Sequence, residues 1–463
     1  MRDTLYAHLP IPLQNFACSW YGRKEAKVRL GTAFELYLSR LLESEKWSRA
    51  DIRAYQDEQV RELIQYAYEH VPFHRDRMRE RKLTPADFRG IYDLNKLPIL
   101  TKEEVRTNRD KLLSTKARSA ELQLRHTSGT TGKSLELFVS RSAIAMQWAI
   151  WWRHRMRFGM QPGTRHVNFT GKLVVPMEQR NPPYWRWNRP MRQALINMQQ
   201  LTPFKIAPIL QFLDEEAFEL YTGYPSIIHA LVTAANQAGL RLQNPPKLIA
   251  TGAENVLSNQ RADIVAFTGS VLTDQWGMTE ACANASQCRN FLYHEDFELG
   301  VIERVEESST DGVMQGKLLC TGFGTPEFPL IRYDVGDIGL WPAQEECPCG
   351  LESPVLAGLL GRIDDYVLTP EGTRIMRFDY IFKHTPNIRE CQVIQDRVGE
   401  IRLRVVRRNG YGKTDEHMLR EEIRKWISPS LAVQFEYVSE IEREANGKFR
   451  AVKSLLASDR TQQ

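Results

Sequence analysis

HTSGTTGKS, residues 126–134, is the stretch that decides the fold, because it joins small hydroxyl residues, two glycines and a lysine. Backbone N–H groups approach anionic oxygens closely only where bulky side chains are absent, and the hydroxyl and ammonium groups add donors. The stretch therefore predicts a phosphate-binding loop, although a segment of this kind also fits an ordinary turn. It is not a Walker A loop, which has glycine at the position that Thr127 occupies.

Four further motifs follow the loop in the chain. A carboxylate such as Glu280 suits a hard cation that bridges phosphate oxygens, but Glu280 also fits a helix start. Lys448 could stabilise charge that develops in phosphoryl chemistry, or be an exposed turn lysine. The motifs are Gln275-Trp276-Gly277-Met278-Thr279-Glu280, Tyr333-Asp334-Val335-Gly336-Asp337, Gly361-Arg362-Ile363-Asp364 and Glu444-Ala445-Asn446-Gly447-Lys448.

The ordered set resembles the motifs of the adenylate-forming superfamily, which contains acyl-coenzyme A ligases, adenylation domains and luciferases. The resemblance implies that Thr279 meets the AMP phosphate, Glu280 holds magnesium and Lys448 is the adenylation lysine. These three are the implied catalytic residues. The implied ATP-binding residues are Thr127, Ser128, Gly129, Thr130, Thr131, Gly132, Lys133, Gly252, Ala253, Glu254, Gln275, Trp276, Gly277, Asp337 and Arg362.

The motifs near the N-terminus indicate the branch of this superfamily. Val71-Pro72-Phe73-His74 and Leu97-Pro98-Ile99-Leu100-Thr101-Lys102-Glu103 resemble the phenylacetate-coenzyme A ligase-like family, as does Gly223-Tyr224-Pro225-Ser226. The resemblance covers roughly residues 60 to 455. Its substrate-facing middle departs from the phenylacetate enzymes, so their substrate does not carry over. Tyr224, Pro225 and Trp276 are the expected acid-binding residues, although aromatic residues also fill ordinary cores.

The apolar pattern predicts an α/β fold in two domains. Short apolar runs such as 247–250 and 271–274 alternate with helical segments such as 225–238, which is typical of nucleotide-binding sheets. Residues 1–362 are expected to form a large N-terminal domain that binds AMP and the acyl group. Residues 363–463 are expected to form a small mobile α+β lid that carries Lys448, with Asp364 as its hinge, as the resemblance implies.

Composition excludes several classes of protein. The formal charge of +5 in 463 residues is far below the footprint of a nucleic-acid-binding protein. The most apolar stretch, 143–152, is short and contains Gln147, so it fits a buried helix better than a membrane span. With no export signal visible, we expect a cytoplasmic protein, monomer or homodimer, whose 7 cysteines are reduced thiols or metal ligands.

Four of these side chains predict a metal site. Cys347-Pro348-Cys349 offers two thiolates in a tight turn, and Cys288 and His294 lie just after the Thr-Glu motif. Together they would make a tetrahedral Cys3His set for a structural zinc. Cys282 is an alternative ligand. Buried thiols without metal are the other interpretation.

The expected activity is that of an acid-thiol ligase. A carboxylic acid and ATP would give an acyl-adenylate and pyrophosphate, and a thiol, with coenzyme A the first choice, would then take the acyl group. Two alternatives to this activity stay open. The acceptor could be a carrier protein or an amine, and the chain could also bind an adenylate without catalysis.

Overall fold

The computed structural model describes most of the chain. The described residues are 6–126, 135–176, 179–197, 200–202, 204–310, 312–342, 346–362, 367–370, 374–375, 381, 385, 387–443 and 449–456. All statements below concern these residues. None of the helices among them combines the length and the apolar character that a membrane crossing requires.

Local sequence signals set the helix boundaries. Ser48 and Asp51 form a capping box at the start of α3, and Pro72 begins α4, as the helical spacing ending near Pro72 predicts. The helices are α1 Ile11–Arg29, α2 Thr32–Ser44, α3 Arg49–His70, α4 Pro72–Glu80, α5 Lys102–Thr107, α6 Arg109–Leu112, α7 Arg141–Met156, α8 Ile206–Glu216, α9 Pro225–Gln237, α10 Ser258–Thr268 and α11 Lys413–Trp426. Short 3-10 turns cover Pro85–Asp87, Ile91–Lys96, Ser119–Glu121 and Arg189–Met191.

A nine-stranded sheet forms the centre of the molecule. Its strands are β3 His166–Thr170, β4 Arg186–Asn188, β5 Gln193–Asn197, β6 Leu220–Gly223, β7 Leu248–Gly252, β8 Val271–Gly277, β9 Asn284–Gln287, β10 Tyr293–Glu295 and β14 Val355–Leu356. The order is β14-β10-β9-β8-β7-β6-β3-β5-β4, and the five strands from β8 to β5 are parallel. Parallel strands bring their carboxyl ends to one edge, where ligands bind in such sheets.

The two faces of this sheet are packed by different helices. Residues of α8, α9 and α10 pack with Val167, Phe169, Ile196 and Tyr221 in one apolar core. Residues of α2 and α7 pack with Leu220, Leu248 and Ala250 on the other face. α1 lies beside β4, where a side chain at Gly22 would collide with Asn188.

Antiparallel sheets complete the large domain. The pair β1–β2 precedes α7, and a four-stranded sheet has the order β11-β12-β13-β15. The strands are β1 Leu122–His126, β2 Glu136–Ser140, β11 Gly300–Thr310, β12 Val313–Gly322, β13 Tyr333–Pro342 and β15 Gly358–Arg362.

The C-terminal part has its own sheet and core. Strand β18 pairs antiparallel with β19, as the alternating pattern of 390–396 and 400–407 predicts, and α11 adds Leu419 and Ile423 to the core. The sheet order is β20-β19-β18-β21. The strands are β16 Val367–Leu368, β17 Arg374–Ile375, β18 Ile388–Arg397, β19 Glu400–Arg407, β20 Ala432–Tyr437 and β21 Val452–Ser454.

One segment differs from its sequence interpretation. The Pro-, Trp- and Arg-rich stretch 181–191 is predicted as a loop, but residues 186–188 pair with β5 as the edge strand β4. Trp185 stacks on Phe212 at 3.8 Å between ring centroids, and Trp187 contacts the same ring. The tryptophans therefore cover α8, because tertiary packing outweighs the local loop signals.

Gly223 gives a stability prediction for the end of β6. Its φ is +136°, and an added Cβ would lie 2.2 Å from the backbone oxygen of Phe169. Gly239 is a matched control, with φ +68° and open space around the Cβ position. Each Gly→Ala change costs about 1–2 kcal/mol of backbone strain. We expect Gly223→Ala to lower the melting temperature clearly more than Gly239→Ala, since backbone cannot move aside. Equal losses in calorimetry would contradict the steric argument.

Candidate active site

A cavity of about 1330 Å³ opens at the carboxyl edge of the central sheet. Its walls come from α1, α7, the ends of β3 and β6 to β8, strand β13 and the start of β21. Most of the described motif residues that the sequence assigns to ATP or the acid lie on it. They are Tyr224, Gly252, Ala253, Glu254, Gln275, Trp276, Gly277, Thr279, Glu280 and Asp337.

Two hydrogen bonds join the motif at the end of β8 to the motif in β13. The indole Nε1 of Trp276 donates to Asp337 Oδ2 at 2.8 Å, and the Tyr333 hydroxyl donates to Glu280 Oε1 at 3.1 Å. Both carboxylates therefore have a fixed orientation towards the cavity. The interpretation of Glu280 as a helix start is wrong, because residues 278–281 form a turn after β8.

The Leu-Pro-x-x-Thr-Lys segment supports this arrangement from behind. Thr101 caps α5, and the Nζ of Lys102 donates to the backbone oxygen of Val335 at 2.7 Å. Gly336, with φ +77°, lies in a bulge of β13 immediately before Asp337. The segment thus shapes the backbone that presents Asp337, a role that the motif match alone does not reveal.

The loop after β7 faces the C-terminal segment. Ala253 has a φ of +68°, and burial raises the pKa of Glu254. The Glu254 carboxylate accepts the backbone N–H of Ser226 at 3.3 Å and that of Phe449. Phe449 also lines the cavity. The residue after Lys448 in the chain is therefore part of the cavity wall.

Several predicted site residues lie outside the described part of the chain. These are Thr127, Ser128, Gly129, Thr130, Thr131, Gly132, Lys133, Asp364 and Lys448. Arg362 lies in β15, and its backbone pairs in register with that of Asp337. Pro225 is buried as the first residue of α9, and Tyr224 precedes it on the cavity wall.

The structure gathers the predicted Cys3His set. The ligand atoms of Cys288, His294, Cys347 and Cys349 all lie within 4.8 Å of one another. The Sγ atoms of Cys288 and Cys347 are 3.6 Å apart, and Cys349 Sγ lies 3.2 Å from His294 Nε2. Ligand separations in tetrahedral zinc sites are about 3.5–3.8 Å, given Zn–S and Zn–N bonds of about 2.3 and 2.0 Å. The four ligand atoms are therefore gathered closely enough to surround one metal ion.

The surroundings of the cluster also suit a metal. The second ring nitrogen of His294 lies 3.3 Å from the Ser353 hydroxyl, an outer contact that orients a ligating imidazole. Burial lowers the pKa of His294 to about 4, so that the ring is neutral at pH 7. Cys282, the alternative ligand, is not in the cluster, because its Sγ contacts the sulfur of Met278 at 3.3 Å.

Sequence reasoning missed a buried carboxyl under the β8 motif. Asp274 accepts hydrogen bonds from the hydroxyls of Thr251 at 2.6 Å and Tyr293 at 2.7 Å. Burial raises the pKa of Asp274 to about 6, although the two hydroxyls partly oppose the shift. Its place immediately before Gln275 was a signal for proximity to the site, but its partners lie 19 to 23 positions away.

Comparisons with known proteins agree with the fold and the motifs. Residues 367–455 match the family described as the CapK C-terminal domain. The chain is 23% identical over 456 residues to protein CapK of Staphylococcus aureus, covering 97% of this chain and 98% of that protein. It is 24% identical over 352 residues to phenylacetate-coenzyme A ligase of Thermus thermophilus, covering 70% and 74% respectively.

Solved structures give the same fold. 2-Hydroxyisobutyryl-CoA ligase in the postadenylation state matches with a TM-score of 0.69 at 20% identity, over 89% of this chain and 91% of that one. The thioesterification state of that ligase, with CoA, matches with a TM-score of 0.54 over the same shares at 21% identity. The fold is that of the adenylate-forming CoA ligases, with a C-terminal domain. The chain is homologous to phenylacetate-coenzyme A ligase, which confirms the predicted resemblance and fold class.

The raised pKa of Asp274 predicts a pH dependence of stability. The folded-state value of about 6 exceeds the ordinary 3.8, so the carboxyl stabilises the fold when protonated and this contribution is lost as the pH rises from 4 to 6. Asp274→Asn removes the titration. As the pH rises from 4 to 6, the wild type should lose about 3 kcal/mol of unfolding free energy that the variant does not lose. Denaturant titrations at pH 4 and 7 measure it.

Asp110→Asn serves as the control, because the Asp110 side chain is 90% exposed. Its stability should follow that of the wild type at both pH values. A constant difference between Asp274→Asn and the wild type from pH 4 to 7 would show that Asp274 keeps an ordinary pKa in the folded protein.

Proposed function

We propose that the protein activates a carboxylic acid with ATP and transfers the acyl group to a thiol. The observation that carries the proposal is the meeting of Trp276, Glu280 and Asp337 on one cavity wall, fixed by the Trp276–Asp337 and Tyr333–Glu280 hydrogen bonds. The homology to a coenzyme A ligase supports it. Release of pyrophosphate from ATP in the presence of a carboxylic acid is the direct test.

In the first step, a carboxylate oxygen attacks the α-phosphorus of ATP and the bond to pyrophosphate breaks. Asp337 accepts hydrogen bonds from the ribose hydroxyls, while the loop 127–133 holds the phosphates. Glu280 would hold magnesium, which supplies positive charge to the phosphate oxygens. Lys448 stabilises the negative charge that accumulates as two anions meet.

In the second step, the sulfur of the thiol attacks the acyl carbon, the thiol gives up its proton and AMP leaves. The C-terminal domain, residues 363–463, turns about Asp364 between the two steps, so that one cavity serves both reactions. Coenzyme A is the proposed thiol, because the ligases to which the chain is similar are named for it. A carrier protein or an amine is the alternative acceptor.

The placement of the C-terminal segment supports a mobile lid. Phe449 bonds to Glu254 beside the nucleotide loop, and residues 449–452 line the cavity. Over 89% of its length, the chain also matches 2-hydroxyisobutyryl-CoA ligase better in its postadenylation state than in its thioesterification state. Both observations suit a lid that is docked for the adenylate.

A non-catalytic adenylate-binding protein would not need Lys448, Glu280 and Asp337 together. Binding AMP requires contacts to base, ribose and phosphate, whereas Lys448 and Glu280 serve charge that develops during the reaction. Their presence together with Asp337 favours an enzyme.

Lys448→Ala tests the two-step mechanism. We expect acyl-adenylate formation to fall by about 10²-fold or more, because the transition state loses a cation. Thioester formation from preformed acyl-adenylate should stay within about twofold, since a lysine used in one lid orientation serves one half-reaction. Pyrophosphate exchange and single-turnover thioester assays separate the steps. Lys453→Ala, an exposed lysine in β21, is the control. Equal losses in both steps would contradict the alternation.

We also propose that Cys288, His294, Cys347 and Cys349 hold one structural zinc ion. Four protein ligands leave no open position, so the metal would stabilise the fold and take no part in the reaction. It would join the turn after β9 to the segment that leads into β14.

Metal analysis tests the zinc proposal. Protein purified without chelator should contain one zinc per chain, and Cys347→Ser/Cys349→Ser should lose it and melt at a lower temperature, because metal binding is coupled to local folding. Cys391→Ser is the control, since this buried thiol lies in the C-terminal core outside the cluster. Substoichiometric zinc in the wild type, or retained zinc in the double variant, would refute the assignment.

A further inference from the structure

The face of the central sheet that lines the cavity carries several polar side chains. Side chains alternate across a strand, so Val167 and Phe169 of β3 enter the apolar core while Asn168 and Thr170 point to the opposite face. Gln193 of β5 and Thr222 of β6 lie on the same cavity wall. This side of the cavity therefore offers hydrogen-bonding groups to a bound molecule.

A hydrogen-bond network fixes this polar wall. His166 Nδ1 lies 3.0 Å from the Thr164 oxygen, and Gln193 Nε2 donates to His166 Nε2 at 2.9 Å. Asn188 Nδ2 then donates to Gln193 Oε1 at 3.0 Å. Burial lowers the pKa of His166 to about 4, which keeps the ring neutral. Ordered, neutral polar side chains therefore form part of this wall, beside Leu195 and Ala250.

Arg155 introduces a positive charge at this wall. The side chain is on α7, lines the cavity and is 7% exposed. Its Nε and Nη1 atoms are enclosed and have no hydrogen-bond partner among the described residues. Burial lowers the pKa of Arg155 to about 10, so the guanidinium is charged at pH 7. The Trp152 ring is a cation–π partner, but no carboxylate pairs with this buried charge among the described residues, which leaves its desolvation only partly compensated.

The position of Arg155 sets the distance to the reacting carboxyl. Arg155 lies 4.9 Å from the Trp152 ring, which contacts His166 at the amino end of β3. The adenylate motifs lie at the carboxyl ends of the parallel strands. Four residue steps along β3 span about 13 Å. The charge therefore lies near the amino end of β3, whereas the adenylate motifs lie at the other end of the parallel strands.

Three further cations line the cavity near its opening. Arg29, Arg125 and Lys172 line it together with Glu25, which pairs with Arg29. Arg29 and Lys172 come from segments on either side of the opening between α1 and the end of β3. The acidic lining residues Glu254, Asp274, Glu280 and Asp337 belong to the motifs at the carboxyl ends of the strands, so these cations are local to this part of the cavity.

We propose that Arg155 binds a second acidic group of the acid substrate, at the end remote from the carboxyl that is adenylated. The substrate class is then a dicarboxylic or comparably anionic acid, and a neutral acid of the same shape is a poor substrate. The inference rests on the proposed function for the identity of the first carboxyl. Because Nε and Nη1 are enclosed, Arg155 would offer its Nη2 group and its positive charge to this second acidic group.

Pyrophosphate exchange with matched acids tests the proposal. Straight-chain dicarboxylates from glutarate to sebacate are compared with their half-amides, in wild type and in Arg155→Met. The wild type should favour the best diacid over its half-amide by about 100-fold in kcat/KM, because the half-amide leaves the charge unpaired. Arg155→Met should reduce this ratio to near one, and Arg155→Lys should restore part of it.

Thermal melting separates this role from a structural one. Arg153, two residues earlier on α7, binds Asp296 and Glu298, so Arg153→Met should lower the melting temperature strongly. Arg155→Met should not lower it, since it removes an unpaired buried charge. A large loss of stability in Arg155→Met would overturn the proposal by showing that Arg155 is a structural residue.

The remaining outcomes decide between the two proposals. Activation of half-amides and diacids with equal efficiency, or an unchanged ratio in Arg155→Met, would overturn the role of Arg155 and leave the adenylation proposal standing. If no acid in the series is activated, diacid-induced thermal stabilisation is measured without ATP. Stabilisation of the wild type and not of Arg155→Met supports the anion site alone, and equal or absent stabilisation overturns it.

Discussion

Arg153 is the buried charge on which the architecture of the site depends. Its guanidinium donates to Asp296 at 2.8 Å and to both oxygens of Glu298, and the side chain is 2% exposed. Asp296 also accepts from Asn284 and Ser286 of β9. Although burial alone would raise it, the Arg153 charge holds the pKa of Asp296 below its ordinary value. One network therefore ties α7 to the sheet beside the β8 motif.

The contrast with Arg155 explains why one helix serves both stability and recognition. The two arginines are two positions apart on α7, and both are more than nine-tenths buried. Arg153 has carboxylate partners from the protein, so its desolvation is compensated in the folded state. Arg155 has no carboxylate partner among the described residues and contacts the Trp152 ring instead, so in our proposal a bound anion completes its compensation. A rigid helix holding the second charge gives recognition a fixed geometry.

The sequence predicted the parts of the site that come from contiguous motifs. The α/β pattern, the end of β8 before Thr279, and the Cys288 to Cys349 cluster needed only local order and spacing. α1 was not assigned a role, because a helix from residues 11–29 gives no sign of the strand it will cover. Asp274, Arg155 and the polar wall were missed for the same reason. The role of Asp274 and of the polar wall depends on partners that are distant in sequence. That of Arg155 depends on the absence of a hydrogen-bond partner among the described residues.

The Cys-His cluster and the nucleotide site share one structural path. His294 pairs with Val355 between β10 and β14, and β15 begins two residues after β14 ends. In β15, Arg362 stands opposite Asp337, which Trp276 orients from β8. A metal ion held by the Cys-His cluster would therefore fix the start of β15, the strand that runs beside Asp337 and leads to the C-terminal domain. In the proposed mechanism such an anchor would serve the lid, because a lid can turn reproducibly only if the strand before its hinge is held in place.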